Sequence, residues 1–189
     1  MTTTEIKFGG LGGQGVILAG LITGKAAALF DGKEATLTQA FGPEARGSAC
    51  SAQVVVSDGE ILYPYVTRPH VLVCMSQDAY NRFSPKIADG GLLLIEQDMV
   101  NPEPVPNGAR VYGVPATRIA EELGRRMVLN IVMVGFFAAV AKVVGPEAMR
   151  KAVEDSVPGG TTDLNLAAFD RGFAWGEKLL NASGTAPSS

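Results

Sequence analysis

The sequence is poor in the residues that do redox and metal chemistry. Its 189 residues hold one histidine, His70, and two cysteines, Cys50 and Cys74, far apart and in no C-x-x-C spacing. A usual iron–sulfur cluster takes four thiolates and a structural zinc four ligands, so this chain alone furnishes neither. Each cysteine reads as a small buried side chain in a reducing compartment. His70, behind Arg68 and Pro69 and ahead of an apolar stretch, reads as a loop residue. Basic runs are missing too, and a net charge of −3 leaves no electrostatic footprint for nucleic acid. The start, Met1 to Glu5, has neither a basic region nor an apolar signal core, which points to a cytoplasmic protein. One apolar run, Met127 to Val144, is as long as a membrane span, but it carries Asn130, Gly135 and Lys142 and has no partner span. It reads as a buried helix whose Gly135, Ala138 and Ala139 permit close packing on a sheet or on another subunit. Hydrophobic content of 47% with 19% charge fits one globular domain, residues 1–182, followed by a disordered tail over 183–189.

What the sequence has in quantity is glycine, and its densest stretch is Gly9 to Gly15. Ile6 and Phe8 give the alternation of a short strand before it, and Val16, Ile17, Leu18, Leu21, Ile22 and Leu29 give an apolar helix after it. Gly10, Gly12 and Gly15 form G-x-G-x-x-G at this strand-to-helix turn, where glycine permits positive φ and the helix N-terminus favours an anion. A dinucleotide site also wants an acid at the end of the second strand to hold a ribose. Here the second strand, near Thr36 to Thr38, ends in Gln39. The loop therefore reads as a tight turn that merely packs, or as an anion or cofactor contact completed by another chain.

The rest of the chain alternates strands and helices. Asp31-Gly32-Lys33 turns the first helix back into the second strand as a β-α-β unit. Ser51 to Ser57 is a strand, and Ser57-Asp58-Gly59-Glu60 suits a hairpin turn into Ile61 to Tyr63. Val71 to Cys74, Gly91 to Ile95 and Arg110 to Val114 are further strands. Helices are expected after Pro115, across the apolar run, from Pro146 to Val153, and from Asn165 to Leu180. The pattern predicts an α/β fold, a mainly parallel sheet with helices on both faces.

The second unusual segment, Gln39 to Ser48, should lie at the C-terminal edge of that sheet, where open parallel sheets bind ligands. The two glycine-bearing loops are thus expected to converge. Glu44 and Arg46 can pair with each other, or Arg46 can hold a carboxylate or phosphate in bidentate fashion. Gly42, Pro43 and Gly47 shape the loop, and an exposed Phe41 would mark a partner surface.

Taken together, Gly9 to Val16, Phe41 to Gly47 and the Ser57-Asp58 strand end resemble the gamma subunit of the 2-oxoacid:ferredoxin oxidoreductases. The likeness spans nearly the whole chain and implies a Rossmann-like fold. It departs at Ser48, where the family usually has a second glycine. The resemblance implies a multisubunit enzyme that decarboxylates a 2-oxoacid on thiamine diphosphate with Mg2+. Electrons then pass through iron–sulfur clusters to ferredoxin, and coenzyme A takes the acyl group. Alpha and beta subunits and an iron–sulfur subunit or domain are the implied partners and hold those cofactors. This chain has no Gly-Asp-Gly thiamine diphosphate motif, so its implied role is structural and non-catalytic, with coenzyme A as a possible contact. The residues that would make that contact are Gly12, Gly13, Gln14, Gly15, Phe41, Gly42, Glu44, Arg46, Gly47 and Ser48. A loose likeness of Pro43 to Ser51 to the 2-oxoglutarate branch makes 2-oxoglutarate the first expectation for the substrate. Two other readings stay open: a stand-alone dinucleotide-dependent oxidoreductase, and a small-ligand binding or scaffold module.

Overall fold

The computed structural model describes residues 2–42 and 47–184. Six strands, β1 (Thr3–Leu11), β2 (Glu34–Phe41), β3 (Ala49–Ser57), β4 (Val71–Cys74), β5 (Leu92–Glu96) and β6 (Arg110–Val114), form one sheet in the order β2-β3-β1-β4-β5-β6. β1, β4, β5 and β6 are mutually parallel, while β3 runs antiparallel to both β1 and β2. Five of the six strands therefore share one direction, and the expected mainly parallel α/β sheet is present.

The expected β-α-β unit is present with one change: β2 points along β1 but is not its neighbour. β3 occupies the seat between them, in a register running from Thr3 opposite Ser57 to Leu11 opposite Ala49. Only residues 42–48 separate β2 from β3, too few for a crossover, so the chain returns antiparallel. The same placement removes the hairpin expected at Ser57 to Tyr63. Both edges of β3 are already paired, so Ile61 to Tyr63 has no ladder to join, and residues 58–70 are irregular.

The helices are α1 (Val16–Lys25), α2 (Gln77–Phe83), α3 (Ala116–Glu122), α4 (Leu129–Ala141), α5 (Pro146–Ser156) and α6 (Thr162–Gly184). Five gather on one side of the sheet around the main core, in which Phe8 and Phe137 pack with ring centroids 5.5 Å apart. On the other side α2 stands alone over Leu72, Cys74, Leu93 and Ile95. Helices lie on both faces as expected, but the second face is thinly covered beyond β1. Ser76 caps α2 by accepting from the Ala79 amide at 3.2 Å.

The apolar run forms α4, which is buried from Leu129 through Val140 because the core surrounds it. No described helix is long and apolar enough to cross a membrane. Gly135 packs against α6 rather than against the sheet: a Cβ there would stand 2.0 Å from the Phe169 carbonyl oxygen. Gly172 meets the Val132 carbonyl in the same way, so glycines on both helices permit one backbone-to-backbone crossing. Helix α6 continues through Gly184, so residues 183 and 184 of the expected tail are helical, and 185–189 lie outside the described residues.

Candidate functional site at the C-terminal sheet edge

Because β1 and β2 run the same way, Leu11 and Phe41 end at one edge of the sheet, where β3 begins at Ala49. The two glycine-bearing loops meet there. The Gly12 amide donates to the Ser48 carbonyl at 2.8 Å, the Gly47 amide to the Gly12 carbonyl at 3.4 Å, and the Gly42 amide to the Ala49 carbonyl at 2.9 Å. Gly13, Gly15 and Gly47 have φ of 94°, 73° and 74°, the left-handed region that glycine enters without steric cost. Gly13, Phe41 and Gly47 are exposed, with Phe41 70% accessible. Glu44 and Arg46 lie outside the described residues, so whether they pair falls outside the described geometry.

Gln14 is held from both ends. Its Oε1 accepts from the Leu11 amide at 2.7 Å and its Nε2 donates to the Met75 carbonyl at 2.9 Å. A Cβ on Gly10 would lie 2.6 Å from that Oε1, so glycine at position 10 makes room for the glutamine to tuck inward. Gly15 lies at the start of α1 under Asn130 of α4, whose Nδ2 donates to the Gly15 carbonyl at 3.3 Å. No described side chain caps α1, and the leading N–H groups of a helix lack intrahelical partners, which makes this turn receptive to an anion.

Three features were not singled out from sequence for the site. Asn130 was visible as the one amide inside the apolar run. Arg125 and Arg126 are exposed in the turn that leads into α4, the helix whose Asn130 meets Gly15. Glu96 ends β5 fully buried, and neither carboxylate oxygen has a hydrogen-bond partner among the described residues. Burial raises its pKa; the nearby N–H groups of Asp98, Thr117 and Ala116, short of hydrogen-bond geometry, act on the charge only enough to offset part of that rise.

The dinucleotide requirement is not met at this edge. β2 ends in Gln39, Ala40 and Phe41, and the strand beside β1 on that side, β3, is antiparallel and finishes at the opposite edge. Cys50 and Cys74 are buried free thiols, and the described residues contain no group of three His, Cys, Asp or Glu able to hold a metal ion. The ring nitrogen Nδ1 of His70 accepts from the Glu5 amide at 2.9 Å, consistent with a loop residue that fastens β1.

A sequence model of the family described as pyruvate ferredoxin/flavodoxin oxidoreductase matches residues 5–175. The chain belongs to this family. Within the pyruvate ferredoxin/flavodoxin oxidoreductase family it is a gamma-type subunit of a multisubunit 2-oxoacid:ferredoxin oxidoreductase. The keto/oxoacid ferredoxin oxidoreductase gamma subunit from Geobacter sulfurreducens superposes with a TM-score of 0.81 at 38% identity, covering 92% of this chain and 98% of that one. The 2-oxoglutarate synthase subunit KorC of Methanocaldococcus jannaschii is 47% identical over 177 residues, 93% of this chain and 95% of that one. The pyruvate synthase subunit PorC of Methanothermobacter marburgensis is 34% identical over 168 residues, 87% of this chain and 92% of that one.

Proposed function

We propose that this gamma subunit serves a 2-oxoglutarate:ferredoxin oxidoreductase, converting 2-oxoglutarate and coenzyme A to an acyl-CoA and CO2. The greater likeness to a 2-oxoglutarate synthase subunit than to a pyruvate synthase subunit supports that substrate. Thiamine diphosphate, Mg2+ and the iron–sulfur clusters belong to alpha, beta and iron–sulfur partner subunits, and ferredoxin takes the electrons. The two buried free thiols suit a reducing cytoplasm.

The observation that carries a contact role is the pairing of the two glycine loops through Gly12, Gly47 and Ser48 at the start of α1. Backbone N–H groups presented there suit a phosphate of coenzyme A, with Arg46 as a second contact. Gln14, committed to Leu11 and Met75, supports the loop and does not reach for the ligand. In the intact complex, Arg46→Gln should raise the apparent KM for coenzyme A about tenfold with kcat little changed, the loss of one charged hydrogen bond. An unchanged KM removes the contact role. Recovery of the native chain without a thiamine-diphosphate subunit removes the complex assignment.

A further inference from the structure

A second anion-receptive place lies on the other side of the sheet from α1. Beside α2, where the sheet has no further helix over it, two adjoining cavities of about 250 and 340 Å3 share Lys7, Phe83 and Lys86. Arg82 joins them in the first, which Ala40 on β2 and Ala49 to Ser51 on β3 also line. The volumes are those of small-ligand clefts. Among the described residues no carboxylate lines either cavity, so three cations converge in a chain whose net charge is −3.

The cations are held there by packing. Gly9 has no Cβ because the Phe83 ring occupies that space, 2.8 Å from where the atom would be. The ring lies under Lys7, whose ammonium stands 4.2 Å from its centroid, and Arg82 lies 5.5 Å from the same centroid. None of the three makes an ion pair among the described residues. Burial, and then the charges of Lys86 and Arg82, lower the pKa of Lys7, the signature of a cation that lacks an anion.

We propose that this cleft binds a diphosphate-type anion, its phosphoryl groups on Lys7, Arg82 and Lys86. The site is separate from the glycine-loop contact, since α1 and α2 lie on opposite faces of the sheet.

The test is calorimetric titration of ADP and of pyrophosphate into the full chain and into the assembled complex. Wild type should bind both probes. The exposed pair Arg82→Gln/Lys86→Gln should weaken both at least about tenfold. Arg125→Gln/Arg126→Gln, ahead of α4 on the other side of the sheet, should leave both unchanged. The proposal is overturned if wild type binds neither probe at millimolar concentration. It is also overturned if the Arg125/Arg126 pair weakens binding as much as the Arg82/Lys86 pair, which would put the anion on the α4 side of the sheet and not in this cleft. Binding by the free chain that disappears on assembly overturns it too, because a partner polypeptide then covers the cleft.

Discussion

The side-chain amide of Gln14 donates to the carbonyl oxygen of Met75 at 2.9 Å, tying the turn after β1 to the end of β4. With the bond from the Leu11 amide, this one side chain fixes the shape of the glycine loop. Gln14→Ala leaves two backbone groups unpaired and should cost about 1–3 kcal/mol. Thermal unfolding of the variant checks it, and an unchanged Tm would show that water replaces the amide at no cost.

The crossing of α4 and α6 admits no side chain at its centre. Gly135→Ala would place a methyl 2.0 Å from the Phe169 carbonyl oxygen, and Gly172→Ala would do the same to Val132. Each should destabilise the chain by about 1–3 kcal/mol or more through overpacking. Because the two sites share one contact, the double variant should lose less than the sum of the singles. A denaturant series on all three proteins measures this, and full additivity would mean that the helices do not move apart as one.

Glu96 gives a pH dependence whose sign follows from its burial. Its folded pKa is raised, so the folded state holds the proton more tightly than the unfolded chain. Its contribution is favourable below the unfolded carboxylate range and is lost as pH rises through the folded pKa. Glu96→Gln removes an unsatisfied buried charge and should stabilise the protein at pH 8 by about 1 kcal/mol or more, with little gain at pH 4. Unfolding curves at the two pH values decide it. Equal shifts at both would show that the carboxyl is neutral throughout.

The thiols should be slow to react. Burial raises the pKa of both Cys50 and Cys74, and Cys74 is wholly enclosed between β4 and α2. A thiol reagent at pH 8 should label neither quickly in the folded chain and both on unfolding, with Cys50 ahead of Cys74 under native conditions. Rapid labelling of Cys74 would contradict its burial.

Much of this architecture was legible from local pattern. Val71 to Cys74 and Arg110 to Val114 form strands over the expected residues, since short apolar runs between turn signals carry that information locally. The meeting of the glycine loops was legible too, because strand direction alone sends both to one edge. Pairing partners were not. That β3 sits between β1 and β2, which leaves Ile61 to Tyr63 without an edge, is set by contacts between residues far apart in sequence. Gly135 showed that something approaches closely, and only the fold shows that it is Phe169. In the same way only the fold shows that Leu11 and Met75 hold the Gln14 side chain.

The position of β1 bears on the order in which the chain can assemble. β1, made before the other five strands, is an interior one, and it has no neighbour in this sheet until Ala49 to Ser57 has been synthesised, and no second neighbour until Val71 to Cys74 follows. The pair β2 and β3, joined by a short connection, can close while β1 is still waiting. The earliest of the six strands lies inside the sheet, but consolidation begins at its margin, and β1 is captured by a hairpin formed after it.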